Sequence, residues 1–249
     1  MADYDQVARA YEAHVVPQYL AIAKGLAARS DFQDSSRVLE VGAGTGLLTR
    51  LLIPRTPRLV ITDISQPMLR YAPSVLGDIG LKLPVIAAAS VDRLPFRSEV
   101  FDVVASNLTP LQDTMIALRE AMRVLRPGGR MILSMWGPSY AEVRLLNLAL
   151  REVGKPHAPY GGPLRAVKRM TSLGLSVKRE DVELMAEYDS VEAYIEYRNA
   201  FGYPSSWSDD DLTRYLNAIR ILANKLATGD SLRLGWNVTY LIGTKKPIF

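Results

Sequence analysis

The spacing of apolar residues changes period near Ser35. Before it, Tyr4, Val7, Tyr11 and His14 recur at three- and four-residue steps, which predicts one face of a short helix over residues 3–15. Pro17 suits the first turn of a second helix running to about Arg29, because its missing N–H is not needed there. After Ser35, short apolar runs predict strands at 38–41, 59–62, 85–88, 101–106 and 131–135, separated by helical stretches. That alternation is the signature of a parallel sheet with crossover helices.

Met115, Leu118, Met122 and Leu125 form one stripe of a helix expected over 111–125, stopped by Arg126, Pro127, Gly128 and Gly129 before the fifth strand. A helix is expected over 140–153, then a loop over 155–163 marked by three prolines and two glycines. Ser208 and Asp211 fit a capping box for a helix ending near Gly229. Beyond it Leu232, Leu234, Trp236, Val238, Tyr240 and Ile242 alternate with polar or small residues, which predicts a long strand, antiparallel and near an edge.

Composition narrows the function classes. At 249 residues and 48% hydrophobic, the chain can bury a large core and is not disordered. It has no cysteine, which excludes disulfides and thiolate metal sites and makes a reducing cytoplasm the expected compartment. With His14 and His157 the only histidines, no metal centre is expected. The start, with Asp3, Asp5 and Glu12, lacks the basic-then-apolar order of a signal peptide. No stretch approaches the ~20 apolar residues that span a bilayer, so a soluble protein without membrane insertion is expected. The net charge is +4, but Lys and Arg are scattered, and the densest cluster, Arg165, Lys168 and Arg169, is soon followed by Glu180, Asp181 and Glu183. A mixed solvated surface therefore fits better than a nucleic-acid face.

The chemistry concentrates in VLEVGAGTGLLT, residues 38–49, where a strand runs through a glycine-rich turn into a helix. Such a turn lies at the carboxyl edge of the sheet, and Gly42, Gly44 and Gly46 let a ligand press against bare backbone. The dinucleotide fingerprint G-x-G-x-x-G is not met, since the third glycine comes one place early and Leu47 fills its position, which disfavours NAD. Glu40 would repel a pyrophosphate and attract a ligand carrying ammonium and sulfonium charges. Asp63, at the end of the second strand, is placed to accept both hydroxyls of a ribose, although a helix N-cap is its plainer use.

These stretches, with TDISQPMLRYA, SVDRLPF, FDVVASN and LREAMRVLRPGGRMILS, resemble in order and spacing the motifs of class I S-adenosylmethionine-dependent methyltransferases. The likeness is in particular to the small-molecule branch that includes ubiquinone and menaquinone biosynthesis enzymes. It covers about residues 36–136, and YDQVARAYE is similar to that branch's lid segment. The resemblance implies an α/β fold with a Rossmann-like, seven-stranded, mostly parallel sheet, an antiparallel C-terminal strand, helices on both faces and a helical cap. One methyltransferase domain over 1–249 is expected: lid helices at 1–34, a cofactor-binding core at 35–137, and a substrate cap with the final strands at 138–249.

Carried over by position, the resemblance places Glu40, Gly42, Ala43, Gly44 and Gly46 around the methionine end of S-adenosylmethionine, Asp63 on its ribose, and Ile64 and Met68 on its adenine. Ser90 stands where the family has an acidic or amide residue that contacts adenine. The Val91 amide can still serve there, and Asp92 either substitutes for it or faces solvent. Asn107 falls where donor and acceptor meet, in SNLTP rather than the Asn/Asp-Pro-Pro-aromatic motif of amino-directed nucleic-acid enzymes. In-line methyl transfer needs a general base only if the acceptor arrives protonated. His14, sharing a face with Tyr4 and Tyr11, and His157 are the candidates, against a plain structural hydrogen bond. Among the later aromatics, which mostly pack a cap, Tyr203 and Trp207 are expected with Tyr4 and Trp136 to line an apolar acceptor pocket. The expected function is methylation of a small, partly apolar molecule, quinone-like or a secondary metabolite. An RNA methyltransferase and a regulator that binds the cofactor without turnover are the alternatives. The acceptor atom and the choice between monomer and homodimer stay open.

Overall fold

Seven strands form one sheet in the order β3-β2-β1-β4-β5-β7-β6: β1 Val38–Val41, β2 Leu59–Asp63, β3 Val85–Ala88, β4 Phe101–Asn107, β5 Leu125–Trp136, β6 Leu175–Tyr188 and β7 Leu232–Lys245. The computed structural model describes residues 4–78, 80, 82–137, 141–156, 162–201 and 206–247, with side chains from Val7 onward. Strands β1 to β5 pair in parallel, and β7 runs antiparallel to β5. All four residues of β1 are buried, as expected of a central strand covered on both faces. The chain leaves β1 toward β2 and β3, then returns to set β4 on the other side of β1. This reversal opens a crevice outside the carboxyl ends of β1 and β4, the place where open α/β sheets bind ligands.

Contacts divide the chain into two units: Leu20–Trp136, Gly161–Val182 and Val238–Phe249 form the sheet unit, and Met1–Tyr19, Gly137–Tyr160 and Glu183–Asn237 form the other. In the sheet unit, Leu39, Val41, Met131, Leu133 and Leu241 pack with α5 (Met115–Val124) and α7 (Pro163–Ser172) through Leu118, Ala121, Ala166 and Met170. Tyr240, which alternates with Leu241, instead meets α2 (Val16–Arg29): its hydroxyl donates to the Ile22 carbonyl at 3.1 Å, and the Arg29 guanidinium lies 4.1 Å from its ring centre. Gly25 permits this approach, since a Cβ there would run into the Tyr240 hydroxyl. No helix among the described residues is long and apolar enough to cross a membrane.

Four sequence expectations need correction. The first two helices are one rod: α1 (Tyr4–Ala10) continues through a π-turn, Tyr11–Val15, into α2. Pro17 has no N–H for the α ladder, and the preceding Val16 N–H reaches back five residues to the Tyr11 carbonyl, so the helix widens instead of breaking. The helix expected over 111–125 begins later, because Thr114 caps it by accepting from the Ala117 N–H, and Pro110–Asp113 forms a 3₁₀ turn. The four residues 126–129 do not precede β5 but bulge within it, where the register jumps between Phe101 and Val103, with Gly128 at φ +76°. The late helix α9 is Asp209–Asn224, opened by the expected capping box but ending five residues before Gly229.

Candidate active site

The turn after β1 is pinned to β2. The N–H groups of Gly42 and Ala43 both donate to the Thr62 carbonyl, at 2.8 and 3.0 Å. Gly42, Gly44 and Gly46 have φ of +71°, +58° and +95°, and Gly46 leads into α3 (Leu47–Leu52). Gly42 is doubly required, because a Cβ there would also run into the Thr109 side chain. Gly42→Ala should therefore combine the left-handed penalty of about 1–2 kcal/mol with a clash and lower the Tm by about 4–8 °C, read by thermal unfolding.

Asp63 closes the turn. Its Oδ2 accepts the Gly44 N–H at 2.8 Å and its Oδ1 accepts the Ser65 N–H at 2.8 Å. Each oxygen keeps lone-pair capacity, so the carboxylate can hold the loop and still accept from a diol. The next residue, Ile64, is 75% exposed, a large apolar side chain with nothing over it among the described residues. Met68 is half-buried on α4 (Gln66–Asp78), one turn further on.

Glu40 is 1% exposed and accepts the Thr49 hydroxyl on Oε2 at 2.6 Å. Burial pushes its carboxyl up to about 8; the Thr49 bond opposes the rise, and the Asp63 charge adds to it. At neutral pH this is a proton-bearing acid that gains from any arriving cation. The Thr45 hydroxyl, in the same loop, is buried without a partner among the described residues. An orphaned hydroxyl, a bare backbone cradle and a buried carboxyl all fit a polar, cationic ligand.

Asn107, ending β4, accepts the Ser134 hydroxyl on Oδ1 at 2.7 Å. The following Leu108 has φ +54°, held by its N–H donating to the Ser134 hydroxyl and carbonyl. Strained backbone of this kind collects at functional edges. Ser90 accepts the Asp92 N–H on Oγ, and Asp92 is exposed and takes the Thr114 hydroxyl at 3.4 Å. Val91 and Trp136 are half-buried, Trp136 at the last position of β5. Thr45, Thr49, Thr109 and Ser134 were missed from sequence. The first two lie inside the glycine stretch itself, Thr45 between Gly44 and Gly46 and Thr49 three residues after Gly46, and that placement was the available signal.

The other unit holds the remaining candidates. Tyr11 meets Phe201 edge-on at 6.1 Å, and His14 places Nδ1 3.7 Å from Glu196 Oε2 with its side chain 39% exposed. Trp207 packs edge-on against Tyr215 at 5.1 Å, with Lys155 Nζ 5.5 Å from its ring centre, a setting that suits packing. His157, Tyr203 and the Tyr4 side chain lie outside the described residues.

Residues 39–133 match a family described as a methyltransferase domain. This stretch is similar to the methyltransferase domains of that family. The domain's curated relatives include the ubiquinone/menaquinone biosynthesis C-methyltransferase UbiE of Bordetella parapertussis, 35% identical over 136 residues, 53% of this chain and 47% of that one. Malonyl-[acyl-carrier protein] O-methyltransferase of Geobacter sulfurreducens is 36% identical over 142 residues, 55% of this chain and 49% of that one. The chain thus spans about half the length of the curated relatives it matches. The YcgJ protein of Bacillus subtilis shares the fold, with a TM-score of 0.67 at 18% identity over 91% of this chain and 98% of that one. The matched methyltransferase domain contains Glu40, the three glycines, Asp63 and Asn107, and none of the residues of the second unit.

Proposed function

We propose that the protein transfers a methyl group from S-adenosylmethionine to a small, partly apolar molecule in the cytoplasm. The observation that carries this reading is the pair of acids flanking one glycine turn: Glu40, buried and proton-bearing, and Asp63, pinned but open to a diol. In this reading Glu40 and the Thr45 hydroxyl face the amino-acid end of the cofactor, Asp63 its ribose, and Ile64 and Met68 its adenine. The Val91 N–H serves at Ser90's position, where the short hydroxyl already accepts from Asp92, while Asp92 itself stays in solvent. When bound, the cofactor supplies an electrophilic methyl group. The chain's work is then to fix donor and acceptor in line and to exclude water. Asn107, held by Ser134, orients groups at the edge of β4.

One relative is named for C-methylation and the other for O-methylation, so the acceptor atom is left open. Scattered cations do not favour RNA as acceptor. Calorimetric titration with S-adenosylhomocysteine, with NADH in parallel, tests the reading. Micromolar binding of the first and no heat from the second supports it; the reverse makes the site a dehydrogenase's. A cofactor-binding regulator would bind equally well but turn over no acceptor. His14→Ala is expected to lower turnover while sparing cofactor affinity if His14 acts as the base; a loss of both together assigns it to packing against Glu196.

A further inference from the structure

Away from the glycine turn, the second unit buries an ion pair inside aromatic rings. Glu142, near the start of α6 (Ala141–Glu152), is 2% exposed; its Oε2 accepts the Trp236 indole N–H at 2.8 Å and its Oε1 the Tyr194 hydroxyl at 3.2 Å. Arg198, near the end of α8 (Val191–Asn199), reaches the same Oε1 at only 3.4 Å. Its guanidinium carbon lies 5.2 Å from the centre of Phe201 and 5.9 Å from that of Tyr197.

The carboxylate is well served and the guanidinium is not. Of five N–H groups, Arg198 spends one on a long bond, while its Nε–H is buried with no partner among the described residues. The Tyr188 hydroxyl, whose ring packs 5.0 Å from Tyr194 and 5.3 Å from Tyr197, is a second buried polar group without a partner among the described residues. Leaving such groups bare is costly, and native proteins seldom do so without a ligand or water to complete them. The Arg198 side chain is 20% exposed, so an outside group can reach it. A planar fork with spare donors against aromatic faces is suited to an oxyanion on an apolar body.

We propose that Arg198 anchors an oxyanion, carboxylate or phosphate, on an apolar body, which makes the ligand of this unit an apolar acid. Burial pushes the Glu142 carboxyl up from its ordinary range, so it can take a proton as the second anion arrives and spare the aromatic shell a net negative charge.

The test uses the full chain with saturating S-adenosylhomocysteine and three probes of one shape: benzoate, phenyl phosphate and benzamide, titrated by calorimetry and tryptophan fluorescence. At least one acid is expected to bind tenfold or more tighter than the amide, and which acid wins tells carboxylate from phosphate. Glu142→Gln with Arg198→Met keeps an acceptor for Trp236 and leaves no buried charge unpaired; it should erase the preference while leaving S-adenosylhomocysteine affinity unchanged. If that variant does not fold, Arg198→Lys, charged but without the fork, should cut the preference at least threefold. Equal binding of acid and amide, no binding of any probe, or a preference that survives these substitutions would overturn the assignment. Failure of S-adenosylhomocysteine to bind would instead defeat the methyltransferase reading, and the acid preference is then still measurable without it.

Discussion

Asp63→Ala is expected to weaken S-adenosylhomocysteine binding by about a hundredfold. The carboxylate does two jobs at once, accepting the Gly44 and Ser65 N–H groups while offering its remaining lone pairs to a ribose diol. Charged hydrogen bonds are worth about 1.5–3 kcal/mol each, and losing the equivalent of two at the lower figure is about 3 kcal/mol, or two orders of magnitude in affinity. Asp63→Asn separates this reading from a simple loss of charge. One of its two terminal atoms becomes an N–H₂ group facing a backbone N–H, so the near-isosteric amide should bind about as poorly as alanine. Titration calorimetry of both variants decides it: unchanged affinity in either removes Asp63 from the ligand, and a mild asparagine variant beside a severe alanine one means that only one oxygen matters.

The contrast between what was legible in the chain and what was not follows sequence distance. Strands β1 to β4 carry short apolar runs bounded by turns, and their positions in the chain follow from those runs. The glycine turn, Glu40 and Asp63 were readable because a strand-turn-helix places them by local spacing. Strand β6 was not, since the run Lys178, Arg179, Glu180, Asp181 breaks its alternation. Those charges are settled by partners that the local sequence does not announce, such as Arg29, whose Nε lies 2.8 Å from Glu180, and Thr239, whose hydroxyl donates to Asp181. The hydroxyl of Thr49 on Glu40 lies nine residues away, and the indole of Trp236 on Glu142 lies 94 away. Of these two buried acids Glu40 could be picked out from the sequence and Glu142 could not, and the groups that make both tolerable are delivered by the fold.

Glu40 yields the sharpest pH dependence. Its carboxyl is held up to about 8 in the folded chain against 4.5 for the free group, chiefly by burial. Between those values the native state binds more protons than the unfolded chain, so stability falls as pH rises. From pH 5 to pH 8 the loss should be about 3–4 kcal/mol, visible as a falling denaturant midpoint, and Glu40→Gln, which keeps an acceptor for Thr49, should flatten the curve. Ligand binding runs the other way. The ammonium group of S-adenosylhomocysteine favours the ionised carboxylate, so at pH 7 binding should release close to one proton per site, and affinity should rise with pH up to about 8. Calorimetry in buffers of different ionisation enthalpy counts that proton directly. A release that vanishes in Glu40→Gln assigns it to Glu40; no release in the unsubstituted protein would mean that Glu40 stays protonated with the cofactor in place and serves as a hydrogen-bond donor to it.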